Sequence, residues 1–293
     1  MSIEQVESDY YAFMGFDVDN ARSVLGYYTR FFERGPVLEL ASGPGVFLGL
    51  LTAEGIACRG VDIDDGMVAK AHESGLDVVL ADALEHLHAT PDASLSGLFA
   101  AHFLEHLTAP NVQAIYTEAA RVLSPGGVFV AVVPNAACLP VLTFDFWKDP
   151  THVRFYDPIA LQFFARQAGL AVIGSGGNPK NHPGPPADLV PTGEPGGVDV
   201  SGNVSETVLF AKAALAEFGR DGDYGAITAD IVAKLGHLIA TLNKQTLVLG
   251  HEVAGLRAAN RALLAQLYPP NEVYVVATKP GDAGTAADVR GDA

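Results

Sequence analysis

The sequence predicts an α/β fold, a mostly parallel sheet with helices on both faces. Three observations predict it. Short continuous apolar runs recur over residues 35–175: PVLELASG, CRGVDID, DVVLAD, SGLFAAHF and VFVAVVPN. Helical segments separate them: VFLGLLTAEG stopped by Gly55, DGMVAKAHESG, NVQAIYTEAARVLSPGG, and residues 157–169 ahead of the strand LAVIGSGG. The first three runs end at glycine or an acidic residue rather than at hairpin turns. An unbroken apolar run suits a strand buried on both faces, and strands alternating with helices require parallel crossovers.

Composition narrows the partners. The chain has 293 residues, 49% of them hydrophobic, enough for a substantial core. Its 34 acidic against 18 basic residues give a net charge of −16, with no Lys/Arg run. Such a surface repels a nucleic-acid backbone, so a neutral or small substrate is expected and a nucleic-acid partner is not. Two cysteines, Cys58 and Cys138, lie at no metal-ligand spacing and point to a reducing compartment. MSIEQVESDYY lacks the pattern of a signal peptide, and Pro134, Asn135 and Pro140 interrupt the most apolar window, residues 127–144. The expectation is a soluble cytoplasmic protein with no membrane partner.

Five regions follow. Residues 1–34 form an aromatic-rich N-terminal helical lid, in which Tyr10, Tyr11 and Phe13 either close over a ligand or pack as lid and core. Residues 35–175 are the α/β core. Residues 176–268 are an insertion: a Gly/Pro-rich loop over 176–203, a helix over 204–219 and a long helical pattern over 226–268. In that pattern apolar positions 231, 235, 238, 242, 249, 253, 256, 263 and 267 form a stripe shared with Gln245 and Asn260. Gly236, Gly250 and Gly255 are places where it can kink. The stripe reads as core, as a coiled-coil seam or as a substrate wall. The expectations are a homodimer through this helix or a segment folded back over the site. Residues 269–280 return to strand, over NEVYVVATKP at 271–280, and 281–293 read as a disordered tail.

Acidic residues mark the strand tips. ELASGPG sets Glu39 before a Gly-x-Gly turn at Gly43 and Gly45, GVDIDD ends the second strand at Asp62 with Asp64 beyond, and ADAL ends the third at Asp82. Ligands of doubly wound sheets bind outside these carboxyl ends, where glycine lets backbone approach and a carboxylate can grip two ribose hydroxyls. Leu48 stands where a dinucleotide fingerprint has its third glycine, which weakens a pyrophosphate reading.

HFLEHL follows the fourth strand. On a helical turn His102, Glu105 and His106 share a face, by i,i+3 and i,i+4 spacing. Three readings stay open: metal ligands, acid–base groups, or a brace for the next helix. A metal needs another ligand from elsewhere. His152 in DFWKDPTHVRFYDP is the candidate, because that segment follows the fifth strand and returns to the same sheet edge. Trp147 there is a sugar-stacking surface or a core residue, and Asp145, Asp149 and Asp157 read as turn residues.

ELASGPG, VDID, ADAL, HFLEHL and RVLSPGG, in this order and spacing, resemble the class I S-adenosylmethionine-dependent methyltransferases over residues 35–175, with 271–280 as the last strand. The resemblance implies a Rossmann-like sheet whose last strand is antiparallel, with S-adenosylmethionine as cofactor. It places Gly43 and Gly45 against the methionine part and Asp62 on the ribose, with Ala41 also among the cofactor-binding residues. Ile63 and Met67 fall near the adenine, Asp82 on its amino group with Ala83 and Leu84, and Ala101 lines the site. Glu39 orders the glycine turn. Pro44 departs from the pattern and removes an amide donor.

The pairing of HFLEHL with His152 is similar to small-RNA terminal 2′-O-methyltransferases. That likeness implies a site for magnesium or manganese at Glu105, His106 and His152, with His102 where that family often has a carboxylate. DPTHVRFYDP resembles bacterial saccharide and antibiotic-sugar methyltransferases. Together they imply methyl transfer to a saccharide hydroxyl, with Glu105, His106 and His152 as catalytic residues. The alternatives are a small-RNA terminus as acceptor, or a natural-product hydroxyl methylated without metal.

Overall fold

The four residues of β1 (Val37–Leu40) are all buried and sit near the centre of a seven-stranded sheet. The computed structural model describes residues 15, 17–182, 184–190 and 225–281. Tyr10, Tyr11 and Phe13, the helix expected at 204–219 and the tail from 282 lie outside the described residues.

The other strands are β2 (Cys58–Asp62), β3 (Val78–Leu80), β4 (Leu95–Ala101), β5 (Leu123–Pro134), β6 (Ala171–Gly177) and β7 (Glu272–Thr278). Their order is β3-β2-β1-β4-β5-β7-β6. Pairing is parallel from β3 through β5, while β7 runs antiparallel between β5 and β6. This is the Rossmann-like arrangement expected, antiparallel last strand included. The order reverses between β1 and β4, so the crevice at their carboxyl ends is the natural ligand site.

Residue alternation divides the core. Leu38, Leu40, Leu98, Ala100, Phe129, Ala131 and Val133 face one side, where α4 (Ala83–Ala89), α5 (Ala109–Val122) and α6 (Pro158–Gln167) pack. Val37, Phe99, Val130, Val132 and Val276 face the other, against Tyr28, Phe32 and the Phe47 and Leu51 side chains of α2 (Val46–Ala53). Successive strand residues point to opposite faces, which is why each run is apolar throughout. Each large side chain so buried contributes about 1.5–3 kcal/mol. Gly97 in β4 is required by this packing, since a Cβ there would lie 2.5 Å from Phe32 Cδ1.

Carboxylates at strand tips start the helices. Asp64 Oδ1 accepts the Met67 N–H at 2.9 Å at the head of α3 (Asp65–Glu73). Asp82 Oδ1 accepts the Leu84 and Glu85 N–H groups at 2.8 and 2.9 Å, and an Asp157 oxygen accepts that of Ile159 at 2.7 Å. Each such cap is worth about 1 kcal/mol. Asp157 is therefore a helix cap rather than a simple turn residue. Asp17 caps α1 (Val18–Leu25) in the same way.

The chain divides into two units: residues up to Gly184 together with those from Gln266, and Pro185–Ala265. In the second, the described residues comprise a short turn at Ala187–Leu189 and most of α7 (Gly225–Leu267). α7 has 43 residues and runs through Gly236, Gly250 and Gly255 without interruption. No described helix is long and apolar enough to cross a membrane.

Candidate active site

A cavity of about 510 Å³ opens at the carboxyl ends of β1, β2 and β4. That volume suits a small-molecule cofactor. Its floor is the turn after β1, where Ala41, Gly43 and Gly45 adopt φ of 51°, 53° and 78°. Left-handed backbone in three of five residues folds this turn tightly, and glycine at two of them adopts it without a Cβ penalty.

Asp62 holds this turn in place. Its Oδ2 accepts the Gly43 N–H at 2.7 Å and its Oδ1 the Asp64 N–H at 2.9 Å. Burial raises the Asp62 pKa, and the Asp64 and Gly43 amides oppose the shift. Each carboxylate oxygen retains a lone pair for a hydroxyl donor. Glu39 lies deeper. Burial, and then the charge of Asp62, push its carboxyl well above the usual range, and its backbone contact is Leu48 in α2. Ordering of the turn, assigned to Glu39 by resemblance, thus falls to Asp62.

Of the cofactor residues named from the sequence, Glu39, Ala41, Gly43, Asp62, Ile63, Met67, Asp82, Ala83 and Ala101 line the cavity. Gly45 and Leu84 do not. Gly45 is the left-handed residue that starts α2. The Leu84 amide is taken up by Asp82, and its side chain packs on the core. Sequence reasoning missed the wall formed by Asn20, Ala21, Val24 and Leu25 of α1, and it missed Asn181 and Glu272.

Glu272 is the most heavily engaged carboxylate of the site. Tyr28 Oη and Asn178 Nδ2 donate to its Oε1 at 2.6 and 2.7 Å, and Asn181 Nδ2 and His102 Nε2 to its Oε2 at 2.7 and 2.9 Å. Burial alone would raise its pKa, yet the His102 hydrogen bond and charge, with the Tyr28 and Asn178 donors, bring it down to about 2. The signal available in the sequence was an acidic residue opening an apolar strand. Because β7 runs opposite to its neighbours, its first residue, not its last, lies at the carboxyl edge.

HFLEHL does not form one helical face. His102 sits at φ 53°, before a short 3-10 turn at Leu104–His106, so it is not part of that turn. Its Nε2 meets Glu272 and its Nδ1 lies 3.3 Å from Glu105 Oε1. Burial works against charge on this ring, but Glu105 and Glu272 outweigh it and raise the pKa to about 10. His102 is an imidazolium between two carboxylates. With both nitrogens committed it leaves the expected metal set, since a positive ring offers no lone pair. Its side chain is 42% exposed toward the cavity, so solvent screens part of this pairing.

The remaining three residues do converge. The Glu105 carbonyl accepts the Val153 and Arg154 N–H groups at 2.8 and 3.2 Å, drawing the loop after β5 against the 3-10 turn. This places the His152 ring 4.7 Å from the His106 ring, centre to centre. Ligand atoms of Glu105, His106 and His152 all lie within 4.8 Å of one another.

Their surroundings set their protonation. His152 Nδ1 lies 2.6 Å from the Phe146 carbonyl, an acceptor only, so Nδ1 carries the proton and Nε2 the lone pair. Thr151 Oγ1 donates to Asp149 Oδ1 at 2.5 Å and lies 2.8 Å from His106 Nδ1. With its one proton committed, Thr151 must accept from His106 Nδ1–H. Asp149 is thus an orienting group rather than a turn residue alone. Burial lowers the His106 pKa, with Glu105 opposing and His152 reinforcing the shift. Glu105 is fully buried, and beyond the His102 ion pair at 3.3 Å neither carboxylate oxygen accepts a hydrogen bond among the described residues.

Known proteins share this architecture. A crystal structure of an S-adenosylmethionine-dependent methyltransferase from Archaeoglobus fulgidus aligns with a TM-score of 0.61, 21% identical over 92% of this chain and 97% of its own. A Haloferax volcanii complex of the Trm112 methyltransferase activator with a chain assigned as a methyltransferase gives 0.56, at 15% identity over 94% of this chain and 99% of that one. Phosphoethanolamine N-methyltransferase 2 of Haemonchus contortus, bound to S-adenosylmethionine, gives 0.50 at 16% identity over 89% of this chain and 52% of its own. These likenesses show the fold. No curated protein matches the chain significantly. The shared fold and a matched domain together support an S-adenosylmethionine-dependent methyltransferase. More particularly, residues 38–131, from β1 into β5, match the family model described as a methyltransferase domain.

Proposed function

We propose that the protein methylates a hydroxyl of a neutral saccharide, with a divalent cation held by Glu105, His106 and His152. The observation that carries this reading is the Glu105 carboxylate, fully buried with only the His102 ion pair at 3.3 Å on one oxygen, beside two histidines whose Nδ1 protons are committed elsewhere. One long ion pair leaves most of a buried carboxylate's acceptor capacity unused, and a second positive charge on the histidine side would fill it. Two imidazoles and one carboxylate suit manganese better than magnesium, which prefers oxygen donors. When bound, such a cation lowers the pKa of a coordinated hydroxyl. The acceptor oxygen takes the methyl carbon as the carbon–sulfur bond breaks, and its proton leaves to solvent, because both ligand histidines give their Nε2 lone pairs to the cation and His102 is already charged.

His106 lines the cofactor cavity as well as belonging to the ligand set, which brings the acceptor position next to the methyl donor. The acceptor class rests on charge and on surface chemistry. A chain of net charge −16 disfavours RNA. Trp147 is 65% exposed, edge-on to Phe146, which stacks on His152. An exposed aromatic face there suits the apolar face of a sugar ring. The narrower resemblance to the actinobacterial 1-O-methyltransferase of methylmannose polysaccharide synthesis adds mannosides to the acceptors worth testing. The two free cysteines fit a reducing interior.

A second reading keeps the same acceptor without metal. It is favoured by the Asp149–Thr151–His106 chain, which orients a neutral His106 as a general base. The deciding experiment is methyl transfer to a panel of mono- and oligosaccharides and short RNAs, before and after exhaustive chelation. Transfer to sugars that falls with EDTA and returns with manganese supports the first reading, and chelation without effect supports the second. RNA as sole acceptor overturns both.

A further inference from the structure

α7 carries a heptad pattern that the chemistry above does not use. With Leu235 at position d, leucine recurs at every d position through Leu242, Leu249, Leu256 and Leu263. The intervening a positions are Val232, Ile239, Thr246 and Val253, all β-branched, and then Asn260. The helix is continuous over Gly225–Leu267, so this register is also a line along one helix.

The described part of that line faces solvent: Leu249 is 60%, Val253 42% and Leu256 70% exposed. Leu247 and Val248, at b and c, are exposed too. Exposure alone therefore does not select the seam, but the unbroken run of leucine does. A helix draws its stability from packing an apolar face, and contiguous apolar surface left in water marks an interaction site.

The residue types choose the occupant. β-branched a positions with leucine at d favour two parallel strands. In a parallel, in-register pair each g residue faces the next e residue of the other chain. Here Glu252 is at g and Arg257 at the following e, so self-pairing sets opposite charges together twice. An antiparallel pair brings g to g and e to e, and loses that match. The seam ends before Asn260, whose Nδ2 lies 3.3 Å from the Leu189 carbonyl.

We propose that residues 232–256 of α7 pair with the same residues of a second copy as a parallel, in-register coiled coil, making the protein a homodimer. The seam would be about 37 Å long at 1.5 Å per residue.

Sedimentation of the full chain at micromolar concentration tests this. The wild type should run at twice its 30.7 kDa chain mass. The double variant Leu249→Glu/Leu256→Glu should run as a monomer while still binding S-adenosylmethionine, which shows that the catalytic unit remains folded. Under mild oxidation Leu256→Cys should form a disulfide-linked dimer, whereas the wild type, with Cys58 and Cys138 only, should not. A monomeric wild type overturns the proposal, as does a dimer that survives both glutamates. A dimer in which Leu256→Cys fails to cross-link overturns the parallel register.

Discussion

His102 Nε2 lies 2.9 Å from Glu272 Oε2, joining the end of β4 to the start of β7 across 170 residues of chain. The same ring reaches Glu105 on its other side. One imidazolium therefore ties the cofactor cavity to the carboxylate of the proposed metal set, and it makes stability depend on pH in two windows.

His102 is raised from 6.5 to about 10, so its contribution is full below the unfolded value and is lost as pH climbs from 6.5 through 10. Glu272 is depressed from 4.5 to about 2, so its contribution is present above 4.5 and disappears as pH falls through 2. Urea unfolding of the wild type and His102→Gln at pH 7 and pH 10 should show the wild type losing more stability than the variant between those pH values. Equal losses would remove His102 from this role.

Asp62 has two tasks, pinning the Gly43 and Asp64 amides and presenting its lone pairs to the cavity. Two charged hydrogen bonds to hydroxyls, at about 1.5–3 kcal/mol each, correspond to a loss of about 100-fold or more in affinity. Calorimetric titration of Asp62→Ala with S-adenosylmethionine should show that loss, with Asp62→Asn intermediate. Wild-type affinity in Asp62→Ala would place the ribose elsewhere.

Manganese should raise the thermal midpoint of the wild type, because a cation that binds only the folded state stabilises it by mass action. Glu105→Gln and His152→Ala should lose this response and the metal-dependent rate, yet keep S-adenosylmethionine binding. A thermal response retained in Glu105→Gln would move the cation away from this carboxylate.

Trp147 packs edge-on against Phe146 and Phe155 but leaves most of its ring outside. Trp147→Ala should raise KM for a saccharide about 5- to 30-fold, on the scale of a stacking contact of about 1–2 kcal/mol. Cofactor affinity should not change. An unaltered KM would assign the acceptor to another wall.

Much of the sheet was legible because its strands are buried on both faces, so VLEL and VFVAVV announce themselves without partners. Asp62, Asp64 and Asp82 were legible for a related reason: a strand tip followed by a helix needs both a cap and a ligand-facing carboxylate. Glu105, His106 and His152 could be grouped because parallel strands return every following loop to one edge. Local pattern and topology by themselves determined these features.

Glu272, Asn178, Asn181 and the true place of His102 were decided only by the tertiary structure. The hydrogen bonds that Glu272 receives span from 91 to 244 residues along the chain, a separation on which no local periodicity reports. HFLEHL satisfies helical spacing, yet His102 takes a left-handed backbone because Glu272 and Glu105 offer its ring more than a helical turn would. An ion pair formed across the sheet outweighed the local preference, and that energy is visible only once β7 lies between β5 and β6.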